Sequence, residues 1–422
     1  MKHKFIILYG TIYLFLTATI YTAHNYREPI ANKTINVSLS EFGLFDMFGI
    51  IKFFGAFFWT NLADRTGRGF IIGSICLSGY FIFFILLECA PDFMKAYGLN
   101  FWTVIYFFLL NFFLSGCYPI TEYILLEILG SKENIKKYYG KIRIGIPIGS
   151  LIAHATQLFM RYVFGKRNDN LYNYTGTGLY GIITILTYWI LYTQVSKGKF
   201  NTTEKFKSRC SDINLNYSSI KTFFTFDIIL LIIMSITQGI PRCAVETYLT
   251  KFQMNNKVSE EKTRFFLILR LIPEVSLLYM TPYLEGLIGY KAILGLGLVS
   301  GVLRPLLLAL IDIEWFNEYS IFFWVAMEII KAVFSTFFYY GSPRSYNEKS
   351  NADNRSLAQG IASGCYNGLG SFISGSIAFL FLDSKWILYQ NSQLRGLFLV
   401  TGLIAFCGLL SYLVFILKNE KK

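Results

Sequence analysis

Apolar stretches long enough to cross a membrane recur along the whole chain, separated by short polar connections. About 20 helical residues cross ~30 Å of hydrocarbon, and a segment in lipid must satisfy its own backbone hydrogen bonds. The pattern therefore predicts an all-α integral membrane protein with twelve transmembrane helices, here called spans one to twelve. They cover residues 5–24, 41–60, 69–90, 101–125, 143–163, 177–196, 222–246, 263–284, 291–311, 319–341, 357–382 and 395–417.

A basic connection divides the spans into two groups of six. We predict an N-terminal six-helix half over 1–196, a basic cytoplasmic linker over 197–221 and a C-terminal six-helix half over 222–422. Two related halves with a substrate site between them are the usual plan of a secondary transporter.

Composition and charge support this class. The 422 residues are 54% hydrophobic and 15% charged, where a soluble protein has roughly 25% charged residues. Lys and Arg concentrate in the connections that lie inside if the N-terminus is inside, which predicts that both termini are cytoplasmic. The net charge of +13 is then loop charge that faces anionic lipid. We expect the bilayer and not a nucleic acid as a partner, and take the plasma membrane as the default location.

The motifs of other functional classes are absent from the sequence. It contains neither a G-x-x-x-x-G-K-[ST] loop nor an H-E-x-x-H pattern. Its 7 cysteines are scattered without metal-ligand spacing, and its 3 histidines are far apart. We therefore expect neither an enzyme nor an ATP-driven pump, and no cofactor or metal.

Charged residues within the predicted spans are the main candidates for function. Each costs roughly 2.5–3.5 kcal/mol at the bilayer centre on insertion scales, so such residues pair, line water or bind a ligand. Helical spacing suggests the pairs Arg270–Glu274, Glu328–Lys331 and Arg242–Glu246, of which the last is expected to be structural and near the outer end of span seven. The full set is Lys52, Arg242, Arg270, Glu274, Arg304, Glu328 and Lys331.

The central charges are predominantly positive. Lys52, Arg270, Arg304 and Lys331 face only two central carboxylates, Glu274 and Glu328. A cavity with surplus cations favours an anionic or strongly polar substrate, since arginine forks suit phosphates and carboxylates.

The connection between spans two and three contains the stretch "WTNLADRTGRGF", residues 58–69. Leu-Ala-Asp-Arg-x-Gly-Arg resembles the signature of the major facilitator superfamily, although Thr60 and Gly69 depart from its first and last positions. In that family the acid and the arginines hold the cytoplasmic helix ends together in the outward-open state. The resemblance implies a gating role for Asp64, Arg65, Gly67 and Arg68. The loop after span eight repeats the Leu and Gly spacing at residues 284–291 without the acid.

Further stretches resemble the branch that holds lactose permease and the nucleoside–proton symporters. They are "GCYPITEYILLE" (116–127), "YYGKIRIGIPIGS" (138–150), residues 271–310 and "LAQGIASGCYNGLGSFISG" (357–375). The resemblance implies that Glu122 and Arg143 contact the substrate. It also implies that Glu274 and Arg304 belong to the substrate and proton machinery.

Two positions depart from that branch. Ser150 stands where the permease has a Trp that stacks on galactose, which argues against a galactoside. Lys331 stands where the branch usually has His in span ten. This argues against proton coupling at that position, because an unperturbed lysine titrates near pH ~10.

The sequence thus predicts a membrane transporter that works by alternating access, functions as a monomer and favours a nucleoside or nucleotide, with H+ as a possible coupling ion. A proton-coupled symporter of sugars or other small metabolites is the alternative, and a non-transporting receptor on the same fold is the second. The predicted substrate and coupling residues are Lys52, Glu122, Arg143, Arg270, Glu274, Arg304, Glu328 and Lys331.

Overall fold

The structure, a computed structural model, describes residues 2–24, 39–66, 68–86, 101–129, 132–164, 169–196, 224–311, 320–350, 355–383 and 390–420. These residues are almost entirely helical, and no strand occurs among them. A helix lies at each of the twelve predicted spans, so the predicted fold class is confirmed. The linker at 197–221 lies outside the described residues.

The helices are numbered in chain order. They are α1 (Lys2–His24), α2 (Leu39–Met47), α3 (Ile50–Thr66), α4 (Gly69–Leu86), α5 (Phe101–Leu129), α6 (Lys132–Arg143), α7 (Gly145–Phe164), α8 (Asp169–Ser196), α9 (Phe226–Asn255), α10 (Glu260–Leu310), α11 (Ser320–Lys349), α12 (Arg355–Ser363), α13 (Gly370–Asp383) and α14 (Gln390–Glu420). A π-helical segment, Gly364–Leu369, joins α12 to α13.

Eight segments of the described chain are long and apolar enough to cross a membrane. One of them, Phe265–Leu310, contains both span eight and span nine. The two spans meet at Gly289, whose backbone has φ 77° and ψ 154° and interrupts α10. Only glycine adopts such angles readily, so this residue makes the turn between the two spans.

The basic connection after span four is a helix, α6, where the sequence suggested a loop. Ile135, Tyr139 and Ile142 are all buried. Their spacing of four and three residues places them on one face of a helix, which explains why this polar segment is ordered.

Span two is also interrupted, since α2 ends at Met47 and α3 begins at Ile50. Phe48 and Gly49 form tight turns in which the Gly49 N–H donates to the Asp46 carbonyl at 2.9 Å. A Cβ on Gly49 would lie 2.5 Å from Cβ of Ser371, so the bend requires glycine where the chain passes this neighbour.

The chain forms two compact units. Unit 1 comprises Met1–Val37, Phe54–Lys221 and Ala352–Gly360, and unit 2 comprises Ser38–Phe53, Thr222–Asn351 and Ile361–Lys422. In unit 1, α1 packs against α7 and α8, and α4 packs against α5. In unit 2, α9 packs against α14, while α10 packs against α11 and α14.

An aromatic core fixes one end of α9 within unit 2. The Phe252 ring packs edge-on against Trp324 and Phe398, with centroids 6.1 and 5.4 Å apart. The same core includes Tyr248 and Leu249, which follow Glu246 on α9. Glu246 therefore lies well inside a helix, where the predicted boundary of span seven had put it at an end.

Candidate functional site

A buried ion-pair network joins α10 and α11 in unit 2. At its centre is Glu328, whose side chain is 3% exposed. Glu328 Oε1 accepts a hydrogen bond from Arg304 Nη2 at 2.7 Å, and Glu328 Oε2 lies 3.8 Å from Arg270 Nη1. Both arginines offset the negative charge of this buried carboxylate. Removing either partner of such a buried pair is strongly destabilising.

The network continues along α10 through the predicted i,i+4 pair. Arg270 Nε lies 3.4 Å from Glu274 Oε1, which also accepts a hydrogen bond from the Ser335 hydroxyl at 2.6 Å. The predicted contact between Arg270 and Glu274 is confirmed. Ser335 is a polar partner that sequence reasoning missed, because a single serine in a span carries no pattern of its own.

A second group of charges centres on Glu246 of α9. Lys331 Nζ donates to Glu246 Oε1, and Arg242 Nη1 lies 3.7 Å from Glu246 Oε2. The predicted Arg242–Glu246 contact is thus confirmed, whereas the predicted Glu328–Lys331 pair is wrong. Glu328 and Lys331 lie on the same helix but turn toward different neighbours, so i,i+3 spacing did not determine their partners.

Aromatic rings surround Arg242. Its guanidinium lies over the Tyr366 ring at 4.7 Å, and its Nη1 donates to the Tyr339 hydroxyl at 3.2 Å. Tyr366 belongs to the π-helical segment and stacks on Phe338, with centroids 4.5 Å apart. The backbone approaches closely here: a Cβ on Gly239 would lie 2.2 Å from the Tyr366 carbonyl oxygen.

Asp46 of α2 is another carboxylate in unit 2. It is buried, and its Oδ2 accepts a hydrogen bond from the Thr247 hydroxyl at 2.9 Å. The predicted site residue Lys52, on α3, is partly buried in the same unit. Asp46 lies within an apolar run, so the rule that selected Lys52 could also have selected it.

The contacts change the expected charge balance. The two groups together contain seven ionic side chains of unit 2, here called its charged cluster: Arg242, Arg270, Arg304, Lys331, Glu246, Glu274 and Glu328. Four cations therefore meet three carboxylates, and the surplus is one positive charge where the sequence suggested two. Adding Lys52 and Asp46 leaves the surplus unchanged.

Unit 1 contains a separate polar cluster around Glu122. The Tyr13 hydroxyl donates to Glu122 Oε2 at 2.6 Å, and the Tyr139 hydroxyl donates to Oε1. Arg143 Nη1 lies 3.5 Å from Glu122 Oε1 and donates to the Tyr139 hydroxyl at 2.7 Å. The structure thus brings together the predicted residues Glu122 and Arg143. The two tyrosines were missed because tyrosines are common throughout this chain.

The predicted gating residues lie at the end of α3 and just beyond it. Gly67 and the side chains of Asp64 and Arg65 lie outside the described residues. Arg68 is exposed, and its backbone N–H lies 3.3 Å from the Thr66 hydroxyl oxygen. Their gating role therefore stays a prediction.

The segment after span eight, which repeats the Leu and Gly spacing found after span two, also contains an acidic residue. Glu285 is the residue next to the position where the repeat lost it, and its two oxygens accept hydrogen bonds from Arg344 Nη1 and Nη2 at 2.6 and 2.9 Å. The Arg344 guanidinium also lies over the Tyr290 and Tyr340 rings, at 4.9 and 5.1 Å. This bidentate contact ties α10 to α11.

Within the described part of the chain, no three His, Cys, Asp or Glu side chains are grouped so that they could hold a metal ion. The two clusters consist of fixed charges, hydroxyl groups and aromatic rings. Such groups bind a polar molecule by hydrogen bonds and stacking.

Comparison with known proteins gives the family. The sequence matches the MFS_1-like family over residues 7–389. The chain belongs to this family. It is therefore a multi-pass membrane transporter of the major facilitator superfamily, as its motif and span count predicted.

Solved structures agree with this fold. The transporter superposes on a mutant of the nucleoside transporter NupG with a TM-score of 0.67 and 13% sequence identity, covering 97% of this chain and 99% of that one. For NupG itself the TM-score is 0.65 and the identity 14%, with 97% and 98% covered. No curated protein matched the sequence.

Proposed function

We propose that this transporter carries a nucleoside across the membrane by alternating access between its two six-helix halves. The observation that carries the proposal is the charged cluster of unit 2, in which cations and carboxylates are paired beside aromatic rings. Charges within spans are costly and are kept where they serve transport. The structural likeness to a nucleoside transporter supports the same substrate class.

The charge balance favours a nucleoside over a nucleotide. Arg304 and Lys331 each contact a carboxylate of the cluster, Glu328 and Glu246. A phosphate would have to compete with these carboxylates for the cations and would face three like charges. A neutral molecule with hydroxyl groups and a flat ring fits the pairing without breaking it.

We propose a monomer in the plasma membrane, with both termini in the cytoplasm as the distribution of Lys and Arg predicts. We propose the proton as coupling ion, which predicts faster uptake when the external pH is lowered. The predicted site residues of both units, Glu122, Arg143, Arg270, Glu274, Arg304, Glu328, Lys331 and Lys52, form the proposed substrate and coupling machinery.

Uptake by cells that express the transporter tests the substrate. Radiolabelled uridine, ATP and glucose are compared with cells that lack the chain, with surface expression confirmed. Uridine uptake that unlabelled uridine abolishes supports the proposal. ATP uptake would overturn the preference for a neutral substrate, and glucose uptake alone would favour the sugar symporter. Arg304→Ala serves as the variant expected to lose uptake.

A further inference from the structure

The three glutamates of the charged cluster in unit 2 differ in accessibility. The side chain of Glu246 is 25% exposed, that of Glu274 is 12% exposed and that of Glu328 is 3% exposed. The most accessible carboxylate is thus the one whose contact with Arg242 was expected to be structural.

Glu246 lies between two cations that belong to different helices. Lys331 contacts this side chain from α11, and Arg242 contacts it from the preceding turn of α9. Charged side chains held between helices in this way face the bundle interior or water and not lipid. The accessible carboxylate is therefore available to a dissolved molecule.

The two cations also fix the carboxylate in place. Each oxygen of Glu246 has its own cation, since Oε1 contacts Lys331 and Oε2 contacts Arg242. A fixed group binds a ligand at a lower entropic cost than a mobile one. A carboxylate has about four acceptor positions, so it can accept hydroxyl groups while it keeps its ion pairs.

Two aromatic rings contact Arg242, one of the two cations that pair with this carboxylate. Arg242 connects Glu246 to Tyr339 through the hydrogen bond to the phenol and to Tyr366 through the ring contact. The Tyr339 and Tyr366 rings are edge-on to each other, with centroids 5.6 Å apart, and Tyr339 is partly exposed. Any nucleobase can stack on such a ring, because every base has a flat π-face.

We infer that Glu246 is a specificity-determining residue that accepts hydrogen bonds from the sugar hydroxyls of the substrate, with Tyr339 as the neighbouring ring for the base. This inference rests on the proposed nucleoside transport and names the residue that distinguishes a hydroxylated sugar from a deoxygenated one. Glu328, whose side chain is 3% exposed and contacted by two arginines, is less accessible to the sugar than Glu246.

The test compares uptake of uridine and 2′,3′-dideoxyuridine. A hydrogen bond to a charged group is worth enough that the wild type should prefer uridine by about tenfold to a hundredfold in kcat/KM. Glu246→Gln should reduce that preference to a few-fold, mainly through the KM of uridine, and should leave dideoxyuridine uptake measurable. The matched control Glu285→Gln changes a paired glutamate outside the cluster and should keep the full preference.

Glu246→Gln leaves Lys331 without its carboxylate, so the variant could fail to fold. The double variant Glu246→Gln/Lys331→Met removes both charges and should show the same reduced preference. A full preference in either Glu246 variant would overturn the inference, as would a preference lost in Glu274→Gln but kept in Glu246→Gln. Wild-type uptake of both nucleosides without preference would overturn it while leaving the proposed function intact. No uptake of either nucleoside by the wild type would overturn the proposed function itself.

Discussion

Arg304 Nη2 and Glu328 Oε1 lie 2.7 Å apart, and both side chains are almost fully buried. Their helices, α10 and α11, are in extensive contact within unit 2. The pair therefore joins two predicted spans by a contact that is shielded from the surroundings.

Arg304→Met should destabilise the protein by about 3–5 kcal/mol, because it leaves a buried carboxylate with a single cation 3.8 Å away. The double variant Arg304→Met/Glu328→Met removes both charges and should recover most of that loss. Thermal unfolding of the purified protein in detergent measures both. Equal destabilisation by the single and double variants would show that packing, and not charge, accounts for the effect.

Gly289→Ala should destabilise the protein by about 1–3 kcal/mol, because φ 77° and ψ 154° are nearly restricted to glycine. A Cβ at this position would meet no neighbour within 4 Å, so the loss comes from the backbone alone. Gly286→Ala is the matched control: it lies in the helical part of α10 with equally open surroundings, and alanine should be neutral or stabilising there. Thermal unfolding of both variants decides, and equal melting temperatures would contradict the prediction.

Gly239→Ala should reduce the amount of folded protein severely, because the added Cβ would lie 2.2 Å from the Tyr366 carbonyl oxygen. Backbone atoms cannot turn away as a side-chain end can, so α9 and the π-helical segment would have to separate. Gly295→Ala is the control, since its Cβ would meet only the Tyr412 ring at 3.8 Å. Fluorescence-detected size-exclusion chromatography reports the folded fraction. Similar profiles for the two variants would be evidence against this close approach.

Tyr13→Phe should cost about 1.5–3 kcal/mol, because its hydroxyl donates to a buried carboxylate, that of Glu122. Tyr9→Phe on the same helix removes a hydroxyl that donates to the neutral backbone carbonyl of Thr121 at 2.5 Å. That change should cost only about 0.5–1.5 kcal/mol. Both tyrosines are fully buried, so the difference in melting temperature isolates the charge of the acceptor. A larger loss for Tyr9→Phe would contradict the prediction.

The helices could be predicted because the thickness of the membrane imposes their length. A helix lies at each of the twelve stretches that hydropathy indicated, and the motif at Asp64 indicated the superfamily. The interruption of span two at Gly49 was not predictable, because it depends on the close approach of Ser371, a distant residue in the sequence. The helix α6 was missed because its three buried apolar residues are outnumbered by charges.

The candidate site was predictable in its members more than in its pairings. Charges within apolar runs stand out, which is why Glu274, Arg304 and Lys331 were found. Contacts within one helix turn, such as Arg270 with Glu274, follow from spacing. Contacts between helices depend on how each helix is rotated, so the Lys331–Glu246 pair could not be read from the sequence. The tyrosines around Glu122 likewise look no different from tyrosines at the membrane surface.

We predict that the single surplus positive charge of the cluster in unit 2 makes uptake depend on the membrane potential. Moving one elementary charge through a potential of 100 mV changes the free energy by about 2.3 kcal/mol, and a shift through part of the field contributes a proportional part. We predict that an inside-negative potential favours the orientation in which this cluster is nearest the cytoplasm, even with an uncharged substrate. Uptake at saturating uridine would then change when the membrane potential is clamped at different values, and a rate independent of potential would refute this. The electrical state of the cell would thus help to set which way the empty carrier faces.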